Sequence, residues 1–179
     1  MRIAVVDTET SGTGPEDRIL EFALVMMECH AHQPRIVWGH SALHDEGPPS
    51  TPAAFAIHGI TDERRRGMVV PPKMIDHLKG VDLVVAHNAS FDRAMLRRTA
   101  TWINDLPWRC SVRQIKWRQE QVSFVGLSSL LDHYKVHRSI GHRALDDALG
   151  LAKLMLLRDH TRNTFLDQLI ATGDLKQDA

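Results

Sequence analysis

Cysteine occurs only at positions 29 and 110, too few for a disulfide framework, so both thiols are expected to stay reduced. Cys29-His30-Ala31-His32 imitates a soft-metal clip, but no second Cys/His cluster completes a four-ligand set, which removes a structural zinc site. No apolar run approaches the roughly 20 residues of a membrane span. Met1-Arg2-Ile3 leads directly into an apolar strand without a leader-peptide pattern, so the expectation is a cytoplasmic protein with no membrane partner. An excess of either charge is also missing, with 22 Lys and Arg against 22 Asp and Glu. Repeats, low-complexity tracts and a linker are absent as well, so the 179 residues are expected to form a single domain over 1–179 with a core of its own.

The zero net charge hides an uneven distribution. Residues 1–50 hold eight Asp/Glu against three Lys/Arg, whereas 97–118 hold six Lys/Arg against Asp105 alone. An acidic cluster beside a basic strip suits a metal-dependent enzyme acting on a polyanion, because metals need carboxylates and phosphates need cations. Trp102, Trp108 and Trp117 lie within the basic strip, where aromatic rings either stack bases or pack inside the fold; packing is the commoner outcome.

The most informative stretch is Ile3-Ala-Val-Val-Asp-Thr-Glu9. Four apolar residues running into two carboxylates describe a buried strand that ends at a site. Strand residues two apart share a face, so Asp7 and Glu9 present four oxygens to one small volume. These charges repel unless a cation lies between them, and hard oxygen ligands suit Mg²⁺ or Mn²⁺.

Strands are expected next over Arg18 to Glu28, whose one inner charge is Glu21, and over Ile36 to Leu43, closing an antiparallel meander. Short helices are expected at Ala53 to His58, after Thr61, and from Pro71-Pro72 to about Lys79. Asp82 to Ala86 reads as a fourth strand. Ser90 is a plausible N-cap for a helix to Trp102, and Trp108 to Cys110 a fifth strand. Helices are then expected over Ser111 to Gln119, Leu127 to Tyr134 and, longest, Arg143 to His160. The order implies an α/β fold: a mixed five-stranded sheet, antiparallel meander first and parallel strands after, with helices on its faces.

Asp92 falls in the first turn of a helix beyond a strand end, where an aspartate favours the helix dipole whether or not it does more. Asp147 has Ala144 and Leu151 as helical neighbours and so borders the apolar stripe, while Asp146 faces Arg143 and Gly150. A carboxylate at the edge of a buried face needs a partner, and a cation shared with Asp7 and Glu9 supplies one. His142, in the loop after Gly141, is placed to lean over such a site and take a proton from water.

Taken in order, Asp7-Thr8-Glu9-Thr10-Ser11-Gly12, Ala86-His87-Asn88-Ala89-Ser90-Phe91-Asp92 and His142-Arg143-Ala144-Leu145-Asp146-Asp147 resemble the three motifs of the DEDDh 3′–5′ exonucleases, which have the ribonuclease H-like three-layer α/β/α fold. Ala56-Ile57-His58-Gly59-Ile60-Thr61 resembles a further element of that family, nearest to its exonuclease X group and the proofreading subunits of bacterial DNA polymerases. A sister group with tyrosine in place of the histidine is disfavoured, since the corresponding position holds Arg143.

The resemblance implies that Asp7, Glu9, Asp92 and Asp147 bind two Mg²⁺ or Mn²⁺ ions and that His142 is the general base in hydrolysis of a 3′-terminal phosphodiester, releasing nucleoside 5′-monophosphates. It further implies that Thr8, Thr10, His58, Ile60, Asn88 and Phe91 contact the terminal nucleotide. The expected substrate is a single-stranded or frayed 3′ end of DNA. RNA trimming by the same machinery and a polymerase-associated proofreading or 3′-end-binding module are the alternatives, and a DNA polymerase or a second copy of the chain is a candidate partner.

Overall fold

The computed structural model describes residues 1–31, 33–45, 47–68, 72–139 and 141–175. Strands β1 (Arg2–Thr10), β2 (Ile19–His30) and β3 (Gln33–Leu43) form the antiparallel meander, and β4 (Leu83–Ala86) and β5 (Trp108–Cys110) extend the sheet in parallel, in the order β3-β2-β1-β4-β5. The central strands are buried on both faces, which explains their near-continuous apolar runs. At the edge, β3 alternates between exposed and half-buried positions.

Side-chain alternation divides the core into two layers. Ile3, Val5, Val25, Met27 and Val85 face one side, beneath α6 (Leu127–His133), α7 (Ala144–Met155) and α8 (Phe165–Ala171). Ala4, Val6, Leu24, Val84 and Ala86 face the other, which is covered by α3 (Pro72–Asp76) and α4 (Ala89–Leu96). This is the three-layer, ribonuclease H-like arrangement that the motifs implied. Of the short helices expected on the connection to β4, α1 (Pro52–His58) and α2 (Asp62–Arg65) form with Thr51 and Thr61 as side-chain N-caps. The predicted start of the third at Pro71 lies outside the described residues.

Several expected boundaries change. The helix carrying Asp92 begins at Ala89 with Asn88 as its N-cap, not Ser90. It ends at Leu96 because Ala100 is extended, and Trp102 belongs to a separate 3-10 turn. The segment expected as one helix from Ser111 splits into α5 (Ser111–Gln114) and a 3-10 turn at Trp117–Glu120, with the buried Trp117 Nε1 donating to the Ser111 carbonyl. The helix α7 stops at Met155, short of His160: Asp159 Oδ1 accepts from the backbone N–H of Thr161 and Asn163 and folds a turn there. The helix α8 has no counterpart in the sequence reading, although Thr164 and Asp167 form a reciprocal capping box at its start.

The basic strip is not a continuous cationic surface. Arg109 is buried and donates to the Leu169 carbonyl, Arg98 donates to the carbonyls of Gly14 and Asp17, and Trp108 and Trp117 pack in the core. Among the described residues no helix is long and apolar enough to cross a membrane.

Candidate active site

The site forms where β1 runs out. Asp7 and Glu9 lie on the face covered by α7, and Asp147, in the first turn of α7, reaches down to them. One carboxylate oxygen from each of the three lies within 4.8 Å of the others. A register shift between Glu9 and Thr10 bends the strand at this point, a common position for a bulge beside a site.

Asp92 approaches from the opposite layer. Thr8 points to that side, and its Oγ1 donates to Asp92 Oδ1 at 2.9 Å. Only 4% of Asp92 is exposed, so the carboxylate that sequence left ambiguous as a helix-dipole residue is held inside the fold. Its proximity to the others shows in the electrostatics. The pKa of Asp7 is raised well above the carboxylate range by burial and then by the charges of Asp92, Glu9, Asp147 and Glu21. Burial, followed by Asp147 and Glu21, lifts Glu9 to about 7, with Arg143 opposing. Burial also lifts Asp92 to about 7 against the hydrogen bond from Thr8. A group of carboxylates that resist ionisation together is a place where divalent cations bind well, because a cation removes the repulsion and their oxygen donors suit Mg²⁺ or Mn²⁺. Asp7, Glu9 and Asp147 have the spacing to share one ion.

Three further charged residues shape the site and were not among the expected site residues. Glu21 stands directly opposite Glu9 on the neighbouring strand and is 2% exposed. It accepts two hydrogen bonds of 2.9 Å from Arg143, one of 3.0 Å from Ser41 Oγ and one of 3.3 Å from the Ala144 N–H. This ties the start of α7, and hence Asp147, to the strand beside β1. Arg138, in the loop between α6 and α7, pairs with Asp147 Oδ1 at 2.5 Å. A lone charge in the apolar run of β2 was the available sign of Glu21; Arg138 left none.

His142 sits two residues before α7, exposed, with φ +59°. Histidine tolerates the left-handed region better than most residues, but such a conformation is uncommon outside glycine. Beside the carboxylates lies a pocket of about 460 Å³ lined by Thr8, Glu9, Thr10, His58 and Phe91, with Ile57 and other small residues completing the wall. His58 is 6% exposed, and its Nδ1 accepts from the Ile60 N–H at 2.9 Å, which leaves the proton on Nε2. Burial holds its pKa below the usual histidine value. Ile60 is itself buried and meets the site through that N–H, while Asn88 is exposed at the head of α4; neither lines the pocket. Thr10 Oγ1 donates to the Gly12 carbonyl at 2.8 Å. Asp17 closes the same loop, accepting from Ser11 Oγ and the Gly14 N–H, and a Cβ on Gly12 would fall 2.4 Å from its Oδ2, so only glycine fits there.

Known proteins carry the same architecture. The chain is 36% identical over 94 residues to exodeoxyribonuclease 10 of Escherichia coli (strain K12), a stretch that makes up 52% of this chain and 40% of that protein. It is 34% identical over 96 residues to the PolC-type DNA polymerase III of Listeria welshimeri, of which the match covers only 6%. The alignment thus spans less than half the length of each of these relatives. A solved structure described as exonuclease X in complex with 5′ overhanging duplex DNA superposes with a TM-score of 0.62 at 27% identity, covering 93% of this chain and 99% of that one. Residues 4–155 match the RNase T family model, described as exonuclease, and on that match the chain belongs to the exonuclease family.

Proposed function

We propose that the protein is a 3′–5′ exonuclease of the DEDDh type that removes nucleoside 5′-monophosphates from single-stranded or frayed 3′ ends of DNA. The observation that carries this reading is the convergence of Asp7, Glu9 and Asp147 within 4.8 Å, with Asp92 bound to Thr8 from the other layer. In this reading the four carboxylates hold two Mg²⁺ or Mn²⁺ ions, which supply an activated water and charge for the departing 3′ oxygen. Glu9, Asp92 and Asp7, whose pKa values are all raised in the metal-free site, must give up their protons to do so, which favours filling as pH rises.

The 460 Å³ pocket has the size of one nucleoside. Phe91 and Ile57 line it with apolar surface suited to a base. The loop pinned by Asp17 closes one end, which favours a terminal over an internal residue. His142 acts as the general base from the loop in front of α7, taking the proton of the attacking water as it swings inward. A duplex end costs a few kcal/mol to open before its last nucleotide can enter, hence the preference for unpaired ends. DNA is favoured over RNA by the names of the relatives, an exodeoxyribonuclease and a DNA polymerase, and the latter makes a polymerase a partner worth testing.

The test is digestion of 5′-labelled single-stranded DNA and RNA oligomers with Mg²⁺ or Mn²⁺. A one-nucleotide ladder from the 3′ end of the DNA, absent with EDTA and in Asp7→Ala, supports the proposal. A faster ladder on RNA replaces it with an exoribonuclease, and no ladder on either removes it.

A further inference from the structure

Arg138 is the residue whose placement the proposed chemistry does not require. Its guanidinium donates through Nη1 to Asp147 Oδ1 and through Nη2 to Ser128 Oγ at 2.7 Å. Asp147 is one of the three carboxylates close enough to share an ion, and the pair is only partly shielded, with side chains 19% and 11% exposed. Arg143, the other cation against the cluster, is already engaged by both oxygens of Glu21. Arg138 is therefore the cation that occupies a carboxylate of the candidate site directly. Its other side opens onto a polar groove of about 450 Å³ shared with Lys135 and His137 and, on the same wall, with the carboxylate of Asp132. Gly141 closes the loop over it: a Cβ there would lie 2.9 Å from the guanidinium carbon.

We propose that Arg138 is an exchangeable counter-ion. It neutralises Asp147 while no divalent cation is bound, gives up that contact when Asp147 turns to a metal, and then holds a phosphate of the nucleic-acid strand from the wall of the groove. The proposal rests on the carboxylates being a metal site. A metal that takes Oδ1 of Asp147, the oxygen held by Arg138, competes with the guanidinium for it. A guanidinium released beside Lys135 and His137 faces the geometry that suits a phosphate, two N–H donors in a fixed fork. A purely structural Arg138 that merely held Asp147 in place has the opposite signature, because its loss would weaken metal binding.

Calorimetric titration of the full chain with Mn²⁺ separates the two. Arg138→Gln is expected to bind Mn²⁺ about twofold to fivefold more tightly than wild type, the scale set by losing a partly exposed ion pair, with Arg138→Lys in between. The same variant is expected to raise KM for a 3′-overhanging DNA several-fold. In wild type, the Nε–H resonance of Arg138 should shift as Mg²⁺ saturates the protein, a readout that no substitution can compromise. Equal or weaker Mn²⁺ binding by Arg138→Gln, an Arg138 resonance indifferent to Mg²⁺, or an unchanged KM overturns the counter-ion while the metal site stands. Failure of wild type to take up Mn²⁺ at all overturns both.

Discussion

Neutralising Asp7 should make the metal-free protein more stable while abolishing its hydrolytic activity. Ligand oxygens of Asp7, Glu9 and Asp147 lie within 4.8 Å of one another. At an effective dielectric of about 20, two unit charges at that separation repel by about 3.5 kcal/mol. Protonation limits what is paid: Glu9 holds its proton to about 7 instead of 4.5, which caps its share at about 3 kcal/mol. Partial exposure reduces the figure further, so Asp7→Asn is expected to gain about 1 to 3 kcal/mol at pH 8 in EDTA. For a chain of this size that is a rise in melting temperature of roughly 3 to 10 °C. The sign has a definite pH dependence. Raised carboxylate pKa values contribute stability that is present below the unfolded values near 4 and is lost as pH rises through about 7. The advantage of Asp7→Asn should therefore be large at pH 8, smaller at pH 5, and vanish only below about pH 4, where Asp7 holds its proton in the folded and the unfolded chain alike. Added Mg²⁺ should close the gap at pH 8 by stabilising wild type alone. Thermal denaturation at both pH values, with and without Mg²⁺, is the assay, and a variant no more stable than wild type at pH 8 in EDTA would refute the electrostatic reasoning.

Three further outcomes follow from the same geometry. Arg143→Met leaves Glu21 buried and unpaired beside two other carboxylates, and should cost about 3 kcal/mol in urea denaturation, the scale of a broken buried pair. Divalent-cation affinity, measured by calorimetry, should climb as pH rises through about 7, because Glu9 and Asp92 must lose protons to bind, and level off only once Asp7, whose pKa is also raised, has lost its own. His142→Ala should retain that affinity while single-turnover cleavage falls roughly a hundredfold, the usual contribution of a general base; cleavage at the wild-type rate removes His142 from that role.

How much of this could be read from the sequence depends on the range of the interaction. Asp7 and Glu9 were legible because a period of two in a buried strand fixes their common face without knowledge of anything else. Asp147 was legible because its helical neighbours Ala144 and Leu151 mark the edge of the stripe. Asp92 drew its meaning only from the order of three motifs, since an aspartate in a first helical turn is commonplace. The Glu21–Arg143 pair joins residues 122 positions apart, and no local pattern announces it. The strands came close to their true spans, whereas helices were overextended. Trp102, Gln119 and His160 continue an apolar or helix-compatible pattern, but the extended Ala100, the Trp117–Ser111 bond and the turn around Asp159 interrupt it locally, in ways that periodicity does not register. The helix α8 was missed even though Thr164 and Asp167 carry a start signal: no element was expected beyond His160.

The Thr8–Asp92 bond lies on the α4 side of the sheet, whereas Asp7, Glu9 and Asp147 meet on the α7 side, so the four acids are contributed by both layers. Detaching α4 alone would leave three of the acidic groups in place and take away the fourth. Any cutting power built on all four acids would then be forfeited by damage to either flank of the molecule.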